Sequence, residues 1–499
     1  MTRKRVWEIL PGTMAWLTLI VAVTLSFIRP LWMVYFIIVF DLYWLLRVMY
    51  FLPFLLHSWW LFRNALKRNW QQDAEQLPGY DAIRHVIFLP TTKEDVTVVR
   101  ETLRVLANCS YPAKRMVVVL AGEERFQDHF SQVSTQMRQE FGEVFGLFLT
   151  TVHPYGLPGD VVGKGSNLHW SGHAVVGDLE RFGCAPDTTI VSSFDVDTIV
   201  HPGYFSCLTY TYLQEPEPTR SSYQPVAVYN NNLWESPAAV RIAMFGTTFW
   251  LMTELARPEG MMTFSSHSMS LRMLLDVDFW QRDIVSEDSR IFLQGLVKYH
   301  GRYHVTPIYL PVSMDTVMSG NYFRALVALY KQLRRWAWGV ENFPFMMEAF
   351  LNDREMPLRV KISWLFKQLE GMYTWVTAPM LIFILGYLPF WVAPETFRAS
   401  AIFQNTPFTL QWLMRLSMIG LFVSATLALT ILPKRPEHVS KPYAYFIMIG
   451  QWALLPFTFI LFSALPALDA QTRLMINKPL GFFVSPKRVS SSAKEQVSP

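Results

Sequence analysis

Charge is scarce in this chain. Of its 499 residues only 17% are Asp, Glu, Lys or Arg, against about a quarter in ordinary globular proteins. The deficit is concentrated in long apolar runs, which excludes a uniformly water-soluble globule. Basic blocks are missing too: the net charge is only +5 and is spread thinly, which argues against a nucleic-acid partner. Cysteine is nearly absent. Cys109, Cys184 and Cys207 have no C-x-x-C spacing, so neither a disulfide framework nor a zinc site is indicated. The first apolar run is followed by no small-residue cleavage site, so it does not read as a signal peptide. What is abundant is hydrophobic side chain, at 51%, with 15% aromatic.

Two apolar runs, 12–28 and 31–56, meet at Arg29-Pro30. Each is near the roughly 20 residues that cross a bilayer, so residues 1–70 read as a transmembrane hairpin. Arg3, Lys4 and Arg5 precede it and Arg63, Lys67 and Arg68 follow it. The positive-inside tendency then places both ends in the cytoplasm of a plasma (inner) membrane. Asp41 and Arg47 are costly against lipid and are expected to face other helices or the interface. Further runs lie at 372–392, 410–432 and 443–466, within a C-terminal transmembrane region of 370–468. Three late spans would send the tail (469–499, with a disordered end) outside. Its Arg473, Lys478, Lys487 and Arg488 argue for inside, and Pro456 allows a broken or re-entrant last segment.

Between these regions, residues 77–318 alternate short apolar runs with helical stretches. Residues 85–90, 115–120, 145–152 and 188–194 read as buried strands, and 95–108, 123–142 and 166–182 as helices. The alternation predicts an α/β domain with a mostly parallel sheet. Ligands in such sheets bind beyond the carboxyl ends of the strands. Pro90-Thr91-Thr92-Lys93-Glu94, Ala121-Gly122-Glu123-Glu124 and Phe194-Asp195-Val196-Asp197 occupy those ends.

Asp195-Val196-Asp197 offers two carboxylates to a hard divalent cation, Mg²⁺ or Mn²⁺. The tripeptide recurs by chance at Asp276-Val277-Asp278, where no strand precedes it, so context favours the first copy. Ser286-Glu287-Asp288 reads either as a helix cap or as a source of a general base. Glu94-Asp95 is a similar pair. The run 156–166, glycine-rich and containing Lys164, fails as a P-loop, because Gly165 stands where Ser or Thr should follow the lysine. It still offers Lys164 to a diphosphate near a helix start. His300 and His304 sit in a turn entering a strand, where zinc is not expected. His267, in FSSHSMS, is a packing residue or lines an acceptor pocket.

The segment YKQLRRWAWGV, residues 330–340, continues an amphipathic stripe of Tyr322, Leu326, Leu329, Leu333 and Trp336, read as an interfacial helix within 319–369. Gln332, Arg335 and Trp336 fall at i, i+3 and i+4, on neighbouring parts of one face. An anchor at headgroup level explains the stripe, Arg334 and Trp338. It does not explain why amide, guanidinium and indole converge.

Taken in order, these motifs resemble those of the membrane-embedded, processive-type family 2 glycosyltransferases, the group of cellulose, chitin and hyaluronan synthases, over residues 80–340 and the flanking helices. The resemblance implies a cytoplasmic GT-A (Rossmann-like) domain flanked by transmembrane helices. It implies that Asp195 and Asp197 bind nucleotide sugar and metal, that Asp288 is the catalytic base, and that Gln332, Arg335 and Trp336 form the Gln-x-x-Arg-Trp lid. Pro90, Thr91 and Glu94 fall at the family's first-strand turn, with Lys93 replacing its asparagine. Where the family ends its second strand with Asp-Asp-Gly, this chain has Leu-Ala-Gly-Glu-Glu, so that either Glu123 stands in for the uracil-reading Asp or the base is held differently. Lys164 joins the donor site. Glu287, Trp336 and His267 are the acceptor-side candidates.

The implied reaction is an inverting transfer from a UDP-sugar to a growing polysaccharide at the cytoplasmic membrane face. Its partners would be the donor, a glycan or lipid acceptor and the bilayer. Four or five spans are few for a polymer channel, which leaves open a homo-oligomer, an export partner, or addition of a single sugar to a lipid. A degenerate transferase acting as a membrane scaffold is the non-enzymatic alternative.

Overall fold

The structure is a computed structural model that describes residues 2–319, 321–437 and 440–481. An eight-stranded sheet forms its centre. In chain order the strands are β1 (Arg84–Pro90), β2 (Met116–Glu123), β3 (Leu147–His153), β4 (Thr189–Ser193), β5 (Ile199–Val200), β6 (Ser221–Val228), β7 (His267–Ser270) and β8 (His304–Ser313). Their spatial order is β3-β2-β1-β4-β7-β6-β8-β5. The first four run parallel, with Val86 opposite Val117 and Val191. β7 enters antiparallel to both β4 and β6, β8 pairs parallel with β6, and β5 pairs antiparallel with β8. The sequence patterning found β1 to β4 because a strand covered on both faces is an unbroken apolar run, and β2 is buried along its whole length. β6 and β7 escaped it. SSYQPVAV and HSMS are polar, yet entirely buried.

Helices cover the sheet. Val96–Ala107 starts where the Asp95 carboxylate accepts the Thr97 amide at 2.8 Å, an ordinary N-cap. Lys164–Arg181 follows the glycine-rich loop. Glu287–Lys298 begins directly at the Glu287-Asp288 pair.

Among the described residues, five helical stretches are long and apolar enough to cross a membrane: Arg3–Ile28, Pro30–Ala65, Leu358–Val392, Ala401–Thr430 and Pro442–Met475. The first two meet at Arg29, whose φ of −141° and ψ of 63° break the helix before Pro30. Trp32, Val39, Leu46 and Trp60 point outward, each more than half exposed, as a lipid-facing surface requires. Asp41 is buried, and Arg47 pairs with Glu370 of the helix Leu358–Met380, so neither charge faces the apolar surroundings.

The last stretch is not a straight helix. Around Pro456 it passes from α-helix through 3₁₀ and π turns before the final helix Leu465–Met475. It touches the α/β unit and the helix Tyr322–Ala337 repeatedly: Arg241 Nε donates to Gln451 Oε1 at 2.6 Å, and Arg334 pairs with Asp469 at 2.7 Å. The Arg5 guanidinium donates to the terminal carbonyl of Leu474 at 2.8 Å, so both ends of the described chain share one end of the helical bundle. The expected disordered end of the tail, with Lys487 and Arg488, lies outside the described residues.

Candidate active site

A cavity of about 200 Å³ opens at the carboxyl ends of β1, β2 and β4. Pro90, Glu94, Glu123, Lys164, Asp195, Glu287, Asp288, Gln332, Arg335 and Trp336, all singled out from the sequence, line it. They come from segments as far apart as residues 90 and 336, and the fold brings them to one wall. Thr91, Asp197 and His267 are not among the lining residues. Thr91 is buried and hydrogen-bonds Leu89 O at 3.2 Å. The Asp197 carboxylate is buried and accepts the Asp315 amide at 3.1 Å. His267 is fully buried on β7, with Nδ1 2.8 Å from Phe264 O. Burial pushes its pKa down to about 4, so it is a neutral packing residue. From FSSHSMS the cavity takes Ser265 instead, whose hydroxyl donates to Asp195 Oδ2 at 3.0 Å.

Lys164 organises the charge. It is the first residue of its helix and only 8% of its side chain is exposed. Its Nζ lies 3.0 Å from Asp195 Oδ1, 3.0 Å from Asp288 Oδ1 and 3.9 Å from Glu287 Oε1. Burial alone would drive an ammonium towards neutrality. Here the three carboxylates overcome it and hold the Lys164 pKa well above its ordinary value. Glu287 is shifted upward, first by its own burial and then by repulsion from Asp288, against the pull of Lys164.

Gly165 explains why the loop departs from a P-loop. A Cβ there would lie 3.0 Å from both Gln281 O and Glu287 Cβ. Serine or threonine at this position would push apart the two elements that bring Lys164 to Asp288.

The Ser286-Glu287-Asp288 turn is not held by the capping bond that its sequence suggests. Ser286 makes no side-chain cap. Its hydroxyl donates to Glu341 Oε1 at 2.6 Å, and the amides of Val285 and Ser286 donate to the same oxygen at 3.1 and 2.9 Å. Arg290 extends the clamp, donating to Asn342 Oδ1 at 2.8 Å. The sequence patterning does not point to Glu341, Asn342 or Arg290. Glu341 and Asn342 carry a signal only as polar residues shortly after the amphipathic helix Tyr322–Ala337, and Arg290 carries none.

The helix Tyr322–Ala337 buries Leu329, Gln332 and Leu333. Gln332 Oε1 is buried and finds no hydrogen-bond partner among the described residues, a state that a bound polar ligand would relieve. Trp336 stands between Tyr229 and Phe264, with ring centroids 5.8 and 5.6 Å away, and forms the aromatic wall. Arg334 and Trp338 are not headgroup anchors. Arg334 pairs with Asp469, while Trp338 is buried and donates to Glu341 Oε2 at 2.8 Å.

At the opposite end, Glu123 lines the cavity with its carboxylate paired to Arg125. For a divalent cation, the cavity wall offers the carboxylates of Asp195 and Asp315, and the buried Asp197 accepts the Asp315 amide; among the described residues these three do not have all their ligand atoms within 4.8 Å of one another. Mg²⁺ commonly takes one or two carboxylates and draws its remaining ligands from substrate phosphates and water. The oxygen chemistry of these donors suits such an ion.

No family model and no curated protein matches the chain. Among solved structures, the mannosyltransferase PcManGT from Pyrobaculum calidifontis in complex with GDP-Man and Mn²⁺ is 14% identical. The match covers 89% of this chain and all of that one, with a TM-score of 0.45. S. aureus TarS 1-349 in complex with UDP-GlcNAc is 12% identical over 72% of this chain and 95% of that one, with a TM-score of 0.36. At such distances the chemistry has to be read from the cavity itself.

Proposed function

We propose that this chain is a membrane-embedded, inverting family 2 glycosyltransferase of the processive type, moving a sugar from a UDP-sugar to a growing polysaccharide at the cytoplasmic membrane face. The observation that carries the reading is the convergence of Lys164, Asp195 and Asp288 under a lid bearing Gln332, Arg335 and Trp336.

The donor diphosphate lies against Arg335, whose planar guanidinium suits paired phosphate oxygens, and against Gln332 and Lys164. A diphosphate competes with the two carboxylates for the Lys164 ammonium, and its arrival loosens the Lys164–Asp288 bond. Asp288 then accepts the proton of the acceptor hydroxyl as that oxygen attacks the anomeric carbon. The bond from that carbon to the diphosphate oxygen breaks, and its electron pair leaves with the diphosphate. Lys164 and Arg335 stabilise the departing charge, an electrostatic contribution that a preformed site makes without reorganising. Mg²⁺ or Mn²⁺ held by Asp195 and Asp197 would supply further neutralisation of the diphosphate. Trp336 offers a flat face to the acceptor sugar and Glu287 a polar contact, while Glu123 lies towards the nucleotide base.

The N-terminal hairpin and the positive-inside tendency support placing the α/β unit in the cytoplasm. The repeated contacts of residues 442–475 with that unit and its lid support an interfacial, broken last segment, which keeps the basic tail on the same side. A second reading, transfer of one sugar to a lipid, is favoured by the small number of apolar helices, too few for a channel within one chain.

The test is nucleoside diphosphate release by the purified full chain in detergent, with Mg²⁺ or Mn²⁺ and a panel of nucleotide sugars. Release with one donor, followed by a polymeric product, is expected. A single-sugar glycolipid would select the second reading. No release with any donor by a folded preparation would overturn both.

A further inference from the structure

The second Asp-Val-Asp, residues 276–278, lies outside the cavity lining, with Asp278 beside two histidines. His169 and His173 stand four residues apart on the helix Lys164–Arg181, and so on one face. Together with Asp278 they each present a ligand atom, all within 4.8 Å of one another. We propose that His169, His173 and Asp278 form a binding site for a dication of the zinc type, with water completing its coordination.

The geometry fits such an ion. Zinc takes histidine nitrogen at ~2.0–2.1 Å and carboxylate oxygen at ~2.0–2.2 Å, so the edge of its tetrahedron is about 3.4 Å. His173 Nε2 and Asp278 Oδ1 are 3.2 Å apart. His169 Nδ1 lies 2.8 Å from Trp280 O. A carbonyl only accepts, so Nδ1 carries the proton and the lone pair is left on Nε2. Fixing a ligand tautomer through a backbone carbonyl is the usual outer-shell arrangement of histidine metal sites. A plain His–Asp ion pair would account for His173 and Asp278 but does not call for a third ligand atom, that of His169, within 4.8 Å of both.

The corner that presents Asp278 is held rigidly. Asp278 and Phe279 both adopt left-handed backbone, with φ of 61° and 62°, which non-glycine residues adopt at a cost. The Phe279 ring packs onto Gly172 so closely that a Cβ there would lie 2.3 Å from it. Asp278 is thus fixed over the helix rather than dangling from a loop. Imidazole nitrogen suits zinc and its neighbours, whereas the all-oxygen donors of the cavity suit Mg²⁺ or Mn²⁺, so the two sites would take different ions. The elements joined here also carry Lys164 and lead into Glu287-Asp288, so the ion would clamp the frame of the cavity from outside.

The test is Zn²⁺ binding by the full chain in detergent, with any histidine tag removed, read by competition with a chromogenic chelator. One equivalent is expected. His173→Ala and Asp278→Asn, both at exposed positions, should each weaken binding by at least the roughly 10–100-fold typical of losing an outer-shell partner. Asp195→Asn should leave Zn²⁺ affinity unchanged. Co²⁺ in place of Zn²⁺ should show the intense visible bands of a four-coordinate site, and these should vanish in His173→Ala. Wild-type Zn²⁺ affinity in both surface variants, or a purely six-coordinate Co²⁺ spectrum, would overturn the assignment.

Discussion

The same helix supplies a basic partner to each Asp-Val-Asp of this chain, and the two pairs have different surroundings. Near its start Lys164 meets Asp195 at 3.0 Å; about two and a half turns later His173 meets Asp278 at 3.2 Å. The first pair is enclosed: Lys164 is 8% exposed and shares its charge among three carboxylates. The second is open, with His173 47% and Asp278 79% exposed. One tripeptide therefore serves two environments. Only the first copy follows a central strand, whose end faces the cavity.

Several substitutions would break or sharpen this contrast. The largest expected effect is on turnover: Asp288→Asn should lower nucleoside diphosphate release by about 10²–10⁴, the range for a lost general base. Full turnover in that variant would remove Asp288 from its role. Asp276→Asn, which keeps the hydrogen-bonding partner of the Tyr299 hydroxyl, should leave turnover as in the wild type.

Lys164→Met should come next, costing about 3 kcal/mol in chemical unfolding, the low end for stranding a buried charge, because Asp195 and Asp288 retain some solvent. His173→Ala in the absence of metal should cost under about 1 kcal/mol, as exposed ion pairs do. Equal costs would erase the contrast between the pairs.

Gly165→Ala should cost about 1–3 kcal/mol, typical of overpacking, and should slow turnover by separating Lys164 from Asp288. The smallest effect concerns pH. The Glu287 pKa is raised above its ordinary 4.5 in the folded state, so the folded protein binds more protons than the unfolded chain above that pH. Stability should fall as pH rises from about 4.5 through the raised value. Glu287→Gln should flatten that slope, as seen in unfolding midpoints across the range, and an unchanged slope would place the titration elsewhere.

Much of the cavity was legible in the sequence, because ligand sites at strand ends leave short polar signatures after apolar runs. Asp195, Asp288, Lys164 and the Gln332-Arg335-Trp336 face could all be named in that way. What could not be read were partners that signal nothing locally. Glu341 holds the Val285-Ser286 turn across more than fifty residues. Ser265 displaced His267 from the cavity because β7 turns the histidine inward. Trp338 looked like an anchor and is a buried donor to Glu341, since headgroup and interior positions both suit an indole.

The sequence by itself determined the division into apolar helices and an α/β unit, since hydrophobic period and run length are local properties that burial enforces. It also determined which polar groups stand at the strand ends. Tertiary structure alone decided which carboxylates share Lys164, that Gly165 must stay small, and that the repeated Asp-Val-Asp meets two histidines. Each of those depends on distances between segments remote in the chain, which local patterning does not encode.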